Sequence, residues 1–330
     1  MIMNNDRMIA QITKQDGFIA GLDQSGGSTP GALRLYGISD SAYISDAEIF
    51  RLRHEMRVRI MTAPAFTGAK VIAAILFEDT MDGQIKGRRV PDFLWKQRGV
   101  IPFLNVDKGL EAEKNGVRLM KPMPALDALL ARAVGLGMFG TKMRSVINLA
   151  SKEGIAAVVA QQFEVAAQIA GHGLLPIIGP EVSIKSPDKA GAEAILREEL
   201  TKKLDASQGG QVMLKLTIPD VPDFYASLVA HERVARVVAL SGGYTRADTC
   251  RRLAVNRGMI ASFSRALTED LRYSMSDAAF DATLARYIDK IYRASIVKTD
   301  DGLRDIELKE QKTACGDAHS RQGGRLVPGL

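Results

Sequence analysis

The sequence predicts an α/β protein, a (β/α)8 TIM barrel in a single domain with extra C-terminal helices and a polar tail, and three observations carry that expectation. Short β-rich runs alternate with amphipathic helical stretches along most of the 330 residues. Eight such runs are present, more than an open doubly wound sheet usually holds. They are near-continuously apolar, which is how a parallel strand covered by helices reads. In chain order the runs are Gly17–Asp23, Val71–Glu78, Ile101–Lys108, Phe139–Arg144, Leu174–Glu181, Val212–Lys215, Val234–Ser241 and Met259–Arg265. Between them the helical periodicity falls on Asp46–Met61, Leu126–Val134, Ile155–Ala170, Ala190–Leu204, Asp223–Ala230 and Arg246–Ala254. Ser45 and Glu48 stand at capping-box spacing before the first of these. Two more helical patterns, Ala266–Tyr273 and Asp277–Ser295, follow the last strand. No Pro-, Gly- or Ser-rich linker interrupts the alternation, so residues 1–297 form one expected domain and 298–330 a polar extension.

Composition narrows the function classes. With 46% hydrophobic and 25% charged residues the chain is an ordinary globular one. No apolar run approaches the roughly 18 residues of a membrane span, and Met1–Lys14 lacks the apolar core of a signal peptide. A cytoplasmic protein without a membrane partner is expected. The net charge of +6 is spread along the chain without a basic block interleaved with aromatics, so no nucleic-acid partner is expected. The two cysteines, Cys250 and Cys315, have no CxxC spacing. His54, His172, His231 and His319 make no paired-ligand pattern, so neither a metal nor another cofactor is expected. Gly135-Leu-Gly137-Met-Phe-Gly140 matches GxGxxG, but it follows a helix and precedes a strand, the reverse of the dinucleotide-binding order. It reads as a helix C-cap and turn.

Strand after strand ends on a polar group: Asp23, Glu78, Lys108, Lys142 with Arg144, Glu181, Lys215, Ser241, Arg265. In a barrel these ends converge on one mouth, where active sites of this fold lie. Lys215 sits inside the apolar run Val212-Met-Leu-Lys-Leu-Thr-Ile218. A buried ammonium must be paired, hydrated or chemically used. A free lysine is only about 0.04% neutral at pH 7, whereas one lowered to about 7.5 is roughly a quarter neutral. Lys215 is therefore the candidate Schiff-base nucleophile, Lys142 its neighbouring cation, and Asp23 a carboxylate able to orient either. Ser241-Gly242-Gly243 after the seventh strand and Arg265 after the eighth suit a phosphate, because such loops offer backbone amides and a guanidinium fork. Ser25 opens a second glycine-rich stretch, Ser25-Gly-Gly-Ser-Thr29, after the first strand.

Together these stretches resemble bacterial class I fructose-bisphosphate aldolases, the metal-independent, lysine-dependent kind, over about residues 10–297. The carriers are Gly17–Pro30, Ala74–Glu78, Val106-Asp-Lys108-Gly, Phe139-Gly-Thr-Lys142-Met-Arg144-Ser, Pro176–Glu181, Met213–Leu216, Leu240–Tyr244 and Ala261–Leu267. The resemblance implies reversible cleavage of fructose 1,6-bisphosphate to dihydroxyacetone phosphate and glyceraldehyde 3-phosphate, a lyase reaction of glycolysis and gluconeogenesis. It implies Lys215 as the imine-forming lysine, with Lys142 and Asp23 assisting. Lys108 and Arg144 would face the substrate, and Ser241, Gly242 and Arg265 would hold a phosphate. It also exposes departures. The family's acid/base glutamate corresponds to Gly179, leaving Glu181 as the nearest substitute. Animal members carry Lys-Arg for the second phosphate where this chain has Gly31 and Ala32, and Arg34 is the nearest basic residue. Because strand side chains alternate with period two, residues 179 and 181 are both expected to look into the mouth, and Gly179→Glu is expected to speed turnover. A catalytically impaired sugar-phosphate-binding barrel, or another lysine-dependent aldolase or transaldolase, remains open, as does a homo-oligomer.

Overall fold

In the computed structural model, which describes residues 2–23, 29–43 and 45–300, the eight strand runs close into one parallel barrel. The strands are β1 (Phe18–Gly21), β2 (Val71–Leu76), β3 (Ile101–Asn105), β4 (Gly140–Lys142), β5 (Leu175–Ile178), β6 (Val212–Thr217), β7 (Val234–Leu240) and β8 (Met259–Phe263). Each pairs with its sequence neighbour, and β1 closes the ring on β8 through Ile19 opposite Ser262. Every expected run holds a strand; most strands stop short of the polar ends, which lie on the loops of the mouth, whereas Lys142 ends β4 and Lys215 lies within β6.

Alternation sorts the strand residues into two cores. Ile19, Ala73, Ile75, Phe103, Ile177, Met213, Val238 and Ile260 belong to the cluster inside the barrel. Their in-between neighbours, among them Ala74, Leu104, Ile178, Leu214, Val237 and Ala261, join the larger cluster under the helices. The helix Ile2–Lys14, which the mixed polar N-terminus did not suggest, adds Met8 and Ile12 to the inner cluster. Gln11 fixes it by donating to the carbonyls of Ile72 and Gly99, both at 2.8 Å, and Arg236 donates to the Ile12 carbonyl at 2.8 Å. These bonds fall at the N-terminal ends of the strands, so this helix floors the barrel and leaves the opposite end open.

The outer helices follow the apolar periodicity with small shifts. Helix Asp46–Thr62 starts at Ser45, whose hydroxyl accepts from the Glu48 amide. Helix Leu126–Gly135 ends in a Schellman motif, with the Gly137 amide on Val134 and the Met138 amide on Ala133. The GxGxxG stretch is thus a helix C-terminus. Two helices are shorter than expected. Asp223 has a φ of 56°, so the helix there runs only Ala226–Val229. The other is Arg265–Thr268, after which the Leu271 amide turns back to the Thr268 carbonyl and the Tyr273 amide donates to the Tyr36 carbonyl at 2.6 Å. The packed body also runs past Val297: the Lys298 ammonium donates to the carbonyls of Leu253, Met259 and Ala294. Residues 301–330 of the polar extension lie outside the described residues. Among the described residues no helix is long and apolar enough to cross a membrane.

The run Leu174–Glu181 does not form one strand. It breaks at Gly179, and Pro180–Val182 joins a separate three-stranded sheet with Ser145–Ile147 and Val117–Arg118. That break shapes the mouth.

Candidate active site

Stepping two residues along a strand from an inward apolar side chain leads up into the mouth. Phe103 leads to Asn105, Met213 to Lys215, and Ile260 to Ser262; Gly140, where a Cβ would meet the Phe103 ring, leads likewise to Lys142. Asp23 stands two residues past the end of β1. These groups line one cavity of about 720 Å³, together with Arg144, Glu181, Ser241, Gly242, Gly243 and Arg265.

The floor of the cavity is a buried charge cluster. The Lys142 ammonium lies 3.0 Å from an Asp23 carboxylate oxygen and 3.8 Å from one of Asp107. Lys215 is 5% exposed and has no ion-pair partner or hydrogen bond among the described residues. Burial pulls the Lys142 ammonium down, but Asp23, Asp107 and Glu181 outweigh it and hold the group above its ordinary value. Burial would raise the Asp23 carboxyl, yet the Lys142 and Lys215 charges keep it below the usual carboxylate range. Lys215 goes the other way. Burial, opposed by Asp23 and reinforced by Lys142, brings it to about 8. Two lysines at one mouth thus differ in character: Lys142 stays a cation, and Lys215 is available as an amine.

Beside this floor, Arg144 lies 3.6 Å from Glu181, both partly exposed to the cavity. On the β7 and β8 side, Gly242 turns with a φ of 60°, and a Cβ there would come 2.7 Å from Ile184. Only glycine fits that turn comfortably, and it bares the backbone between Ser241 and Gly243. Arg265 opens the short helix after β8, and its guanidinium is exposed without a protein partner among the described residues. Ser25 lies outside the described residues.

Two of the expected groups at the mouth are elsewhere. Past the end of β2 the chain turns straight into the short helix Glu78–Asp82, so Glu78 faces outward. There it pairs with Lys108 at 2.6 Å and with Arg132. Lys108, expected to face the substrate, is spent on this rim contact and is absent from the cavity lining. Conversely, sequence reasoning passed over Asn105, Asp107 and Ser262. Each has a buried oxygen without a hydrogen-bond partner among the described residues, and each lines the cavity. The two-residue step from Phe103 and from Ile260 was the available signal for Asn105 and Ser262.

Position 179 also departs from expectation. In a regular strand the amide points along the sheet and the side chain stands perpendicular to it. The Gly179 amide instead turns out of the sheet to the side chain of Gln162, on the outer helix Lys152–Gly171, at 2.7 Å. The Cβ direction swings with it, so a side chain at 179 would overlap the Met143 carbonyl oxygen. The period-two argument fails here, and the expected gain from Gly179→Glu is withdrawn, since a glutamate needs the Met143 backbone to move. Gly179→Ala is expected to cost about 1–3 kcal/mol by overpacking, read as a lower urea midpoint at unchanged m-value.

The fold and the mouth together define a class, a (β/α)8 enzyme with a buried amine at the C-terminal ends of its strands. No protein-family model matches the chain. Three relatives named fructose-bisphosphate aldolase class 1 do match it. The Synechocystis protein is 52% identical over 293 residues, 88% of this chain and 98% of its own. The Porphyromonas gingivalis protein is 52% identical over 292 residues, 88% of this chain and 99% of its own. The Clostridium acetobutylicum protein is 50% identical over 293 residues, with coverage of 88% and 99%. The fructose-bisphosphate aldolase of Plasmodium falciparum, solved in a ternary complex with TRAP and a small-molecule inhibitor, superposes with a TM-score of 0.70. It is 17% identical, covering 92% of this chain and 97% of that one, and speaks for the fold alone. The chain belongs to the class 1 fructose-bisphosphate aldolases, a family of lyases.

Proposed function

We propose that this chain cleaves fructose 1,6-bisphosphate reversibly to dihydroxyacetone phosphate and glyceraldehyde 3-phosphate through an imine on Lys215. The observation that carries the reading is the contrast between the two buried lysines, with Lys215 at about 8 beside a Lys142 held charged by Asp23. At pH 7 a pKa of about 8 leaves roughly 9% of the amine neutral, against about 0.04% for an ordinary lysine. That is a gain of roughly 230-fold in attacking species, under half of what a pKa of about 7.5 would give.

The neutral Lys215 amine attacks the C2 carbonyl, and the Lys142 ammonium supplies the proton that the developing alkoxide takes up. Loss of water leaves an iminium. Its positive nitrogen accepts the electron pair of the C3–C4 bond as that bond breaks, while a base removes the C4 hydroxyl proton and the aldehyde leaves. The resulting enamine is protonated at C3, and water hydrolyses the imine to release dihydroxyacetone phosphate. Asp23, held low by two lysines, is a weak base at neutral pH and serves to keep Lys142 charged and aimed. With no side chain at 179, the proton on the C4 hydroxyl falls to Glu181, which lines the same cavity. A displaced or water-bridged base costs about 10²–10⁴ in rate, so imine formation is expected to run well ahead of turnover.

Arg265 and the Ser241-Gly242-Gly243 turn hold the phosphate in this reading, with Arg144 and the rim of the cavity nearer the aldehyde end. Arg265→Ala is expected to weaken phosphorylated ketoses by about 10–150-fold, the equivalent of 1.5–3 kcal/mol for a charge-assisted contact. Unphosphorylated carbonyl substrates should be nearly unaffected, and equal effects on both would move the anion elsewhere. The reading as a whole is tested by incubating the chain with fructose 1,6-bisphosphate and identifying the products. Both triose phosphates are expected, at a rate indifferent to EDTA. Failure to form either triose phosphate, with the ketose nonetheless bound, favours the impaired sugar-phosphate-binding barrel.

A further inference from the structure

We infer that Gln162 and Thr217 are positioning residues that clamp the segment bearing Glu181 and so set its distance from Lys215; the inference rests on the aldolase reading above. Glu181 sits on a strand of three residues, Pro180–Val182, which lies outside the barrel sheet and leans on the equally short Ser145–Ile147. So brief a ladder leaves the position of its middle residue to whatever holds its ends.

Both ends are held by buried side chains. At the N-terminal end the Gln162 carbonyl oxygen accepts the Gly179 amide at 2.7 Å, while its amide nitrogen donates to the Ser145 hydroxyl at 3.0 Å. Gln162 is fully buried, and one side chain thus joins the residue before the Glu181 strand to the residue after Arg144. At the C-terminal end the Thr217 hydroxyl, itself buried, donates to the Val182 carbonyl at 2.7 Å. Thr217 stands two residues beyond Lys215 on β6 and therefore on the same face of the strand. The route from the nucleophile to the proton-handling carboxylate runs Lys215, Thr217, Val182, Glu181, with one hydrogen bond in it. Neither Gln162 nor Thr217 lines the cavity.

The bare position at 179 gives this clamp its purpose. A carboxylate at Glu181 has to do the work from a point further along the chain, where an error of about 1 Å can cost about 10²-fold in rate. The Gly179 amide, turned out of the sheet, is the group that Gln162 grips. The same turn that leaves no room for a side chain there thus supplies the anchor for the next carboxylate.

Thr217→Val removes one hydroxyl at constant shape, and Thr217→Ser keeps it. Gln162→Leu removes both of the Gln162 bonds, and Gln162→Glu keeps an acceptor for the Gly179 amide. Three quantities are read for each variant: imine trapped by borohydride with dihydroxyacetone phosphate, kcat and KM for fructose 1,6-bisphosphate, and exchange of the C3 hydrogen of dihydroxyacetone phosphate with D2O. Thr217→Val and Gln162→Leu are expected to trap as much imine as the unmodified chain and keep KM within about threefold. Their kcat should fall at least about tenfold while C3 exchange, which does not pass through the C4 hydroxyl proton given to Glu181, stays within about threefold, and Thr217→Ser should restore kcat. If Gln162→Leu does not fold, the Thr217 pair alone decides. An unchanged kcat in Thr217→Val, or trapping that falls in step with kcat, overturns the clamp. Absence of trapping in the unmodified chain overturns the aldolase reading itself, and the clamp with it.

Discussion

Lys215→Met is expected to abolish the trapped imine and to lower turnover of fructose 1,6-bisphosphate by at least about 10⁴-fold, because no other amine can take over as electron sink. Lys142 is held charged by its carboxylates and is no substitute. The same variant should be more stable than the unmodified chain at neutral pH. Lys215 titrates near 8 in the folded protein, below its ordinary value of 10.5, so charging it opposes folding. The penalty is full below pH 8, amounts to about 3 kcal/mol at most, and fades as the pH rises to about 10.5. Urea unfolding at pH 7 and at pH 10 reads it directly: the advantage of Lys215→Met should be large at the first and small at the second. A variant that is inactive but no more stable at pH 7 would mean that burial does not hold the Lys215 amine low.

Lys142→Met should have the second largest effect, with the opposite sign for stability. It strands Asp23 and Asp107, two buried carboxylates at 3.0 and 3.8 Å from the ammonium. Breaking a buried pair from one side costs about 3–5 kcal/mol. Asp23 is depressed in the folded protein, so its contribution is present above its ordinary carboxylate value and is lost as the pH falls through its folded value. Lys142 is raised, so its contribution is present below 10.5 and lost only as the pH rises through its own folded value. The destabilisation of Lys142→Met should therefore be largest between these limits and shrink in acid, where the stranded carboxylates protonate. Catalysis suffers too. The Lys142 charge is one of the causes that lower Lys215, and its removal leaves more of the Asp23 charge to raise it. The pH dependence of imine formation should shift upward, and at pH 7 the rate should drop at least about tenfold. An unshifted profile would mean that burial alone sets the amine.

Much of this was legible from the residues because it depends on period-two alternation within regular strands. A lysine inside Val212–Ile218 had to point either into the barrel or into the helical layer, and either way it was buried. The glycine pair after Ser241 and the arginine after β8 needed only the fold to be placed at the mouth. What was not legible lies where the strand ladder stops. Glu78 and Lys108 read as strand ends, but the chain leaves β2 directly into a helix, and the two side chains satisfy each other on the rim. Gly179 read as an inward position that had lost its carboxylate. Its amide had been claimed by Gln162, seventeen residues earlier on an outer helix, a contact that no local pattern announces. The helix Ile2–Lys14 was missed because its polar residues outnumber its apolar ones. Met8, Ile9 and Ile12, on one face, carried the hint that this helix would close the barrel.

Whether Lys215 is the amine that joins the substrate can be read without any substitution. The unmodified chain is incubated with dihydroxyacetone phosphate, reduced with borohydride, digested, and mapped by mass spectrometry, with the yield followed from pH 6 to pH 9. One adduct per chain is expected, on the peptide carrying Lys215, forming at an initial rate that climbs with pH and levels off above about 8. An adduct on Lys142 or any other lysine, or no adduct at any pH, would contradict the assignment to Lys215.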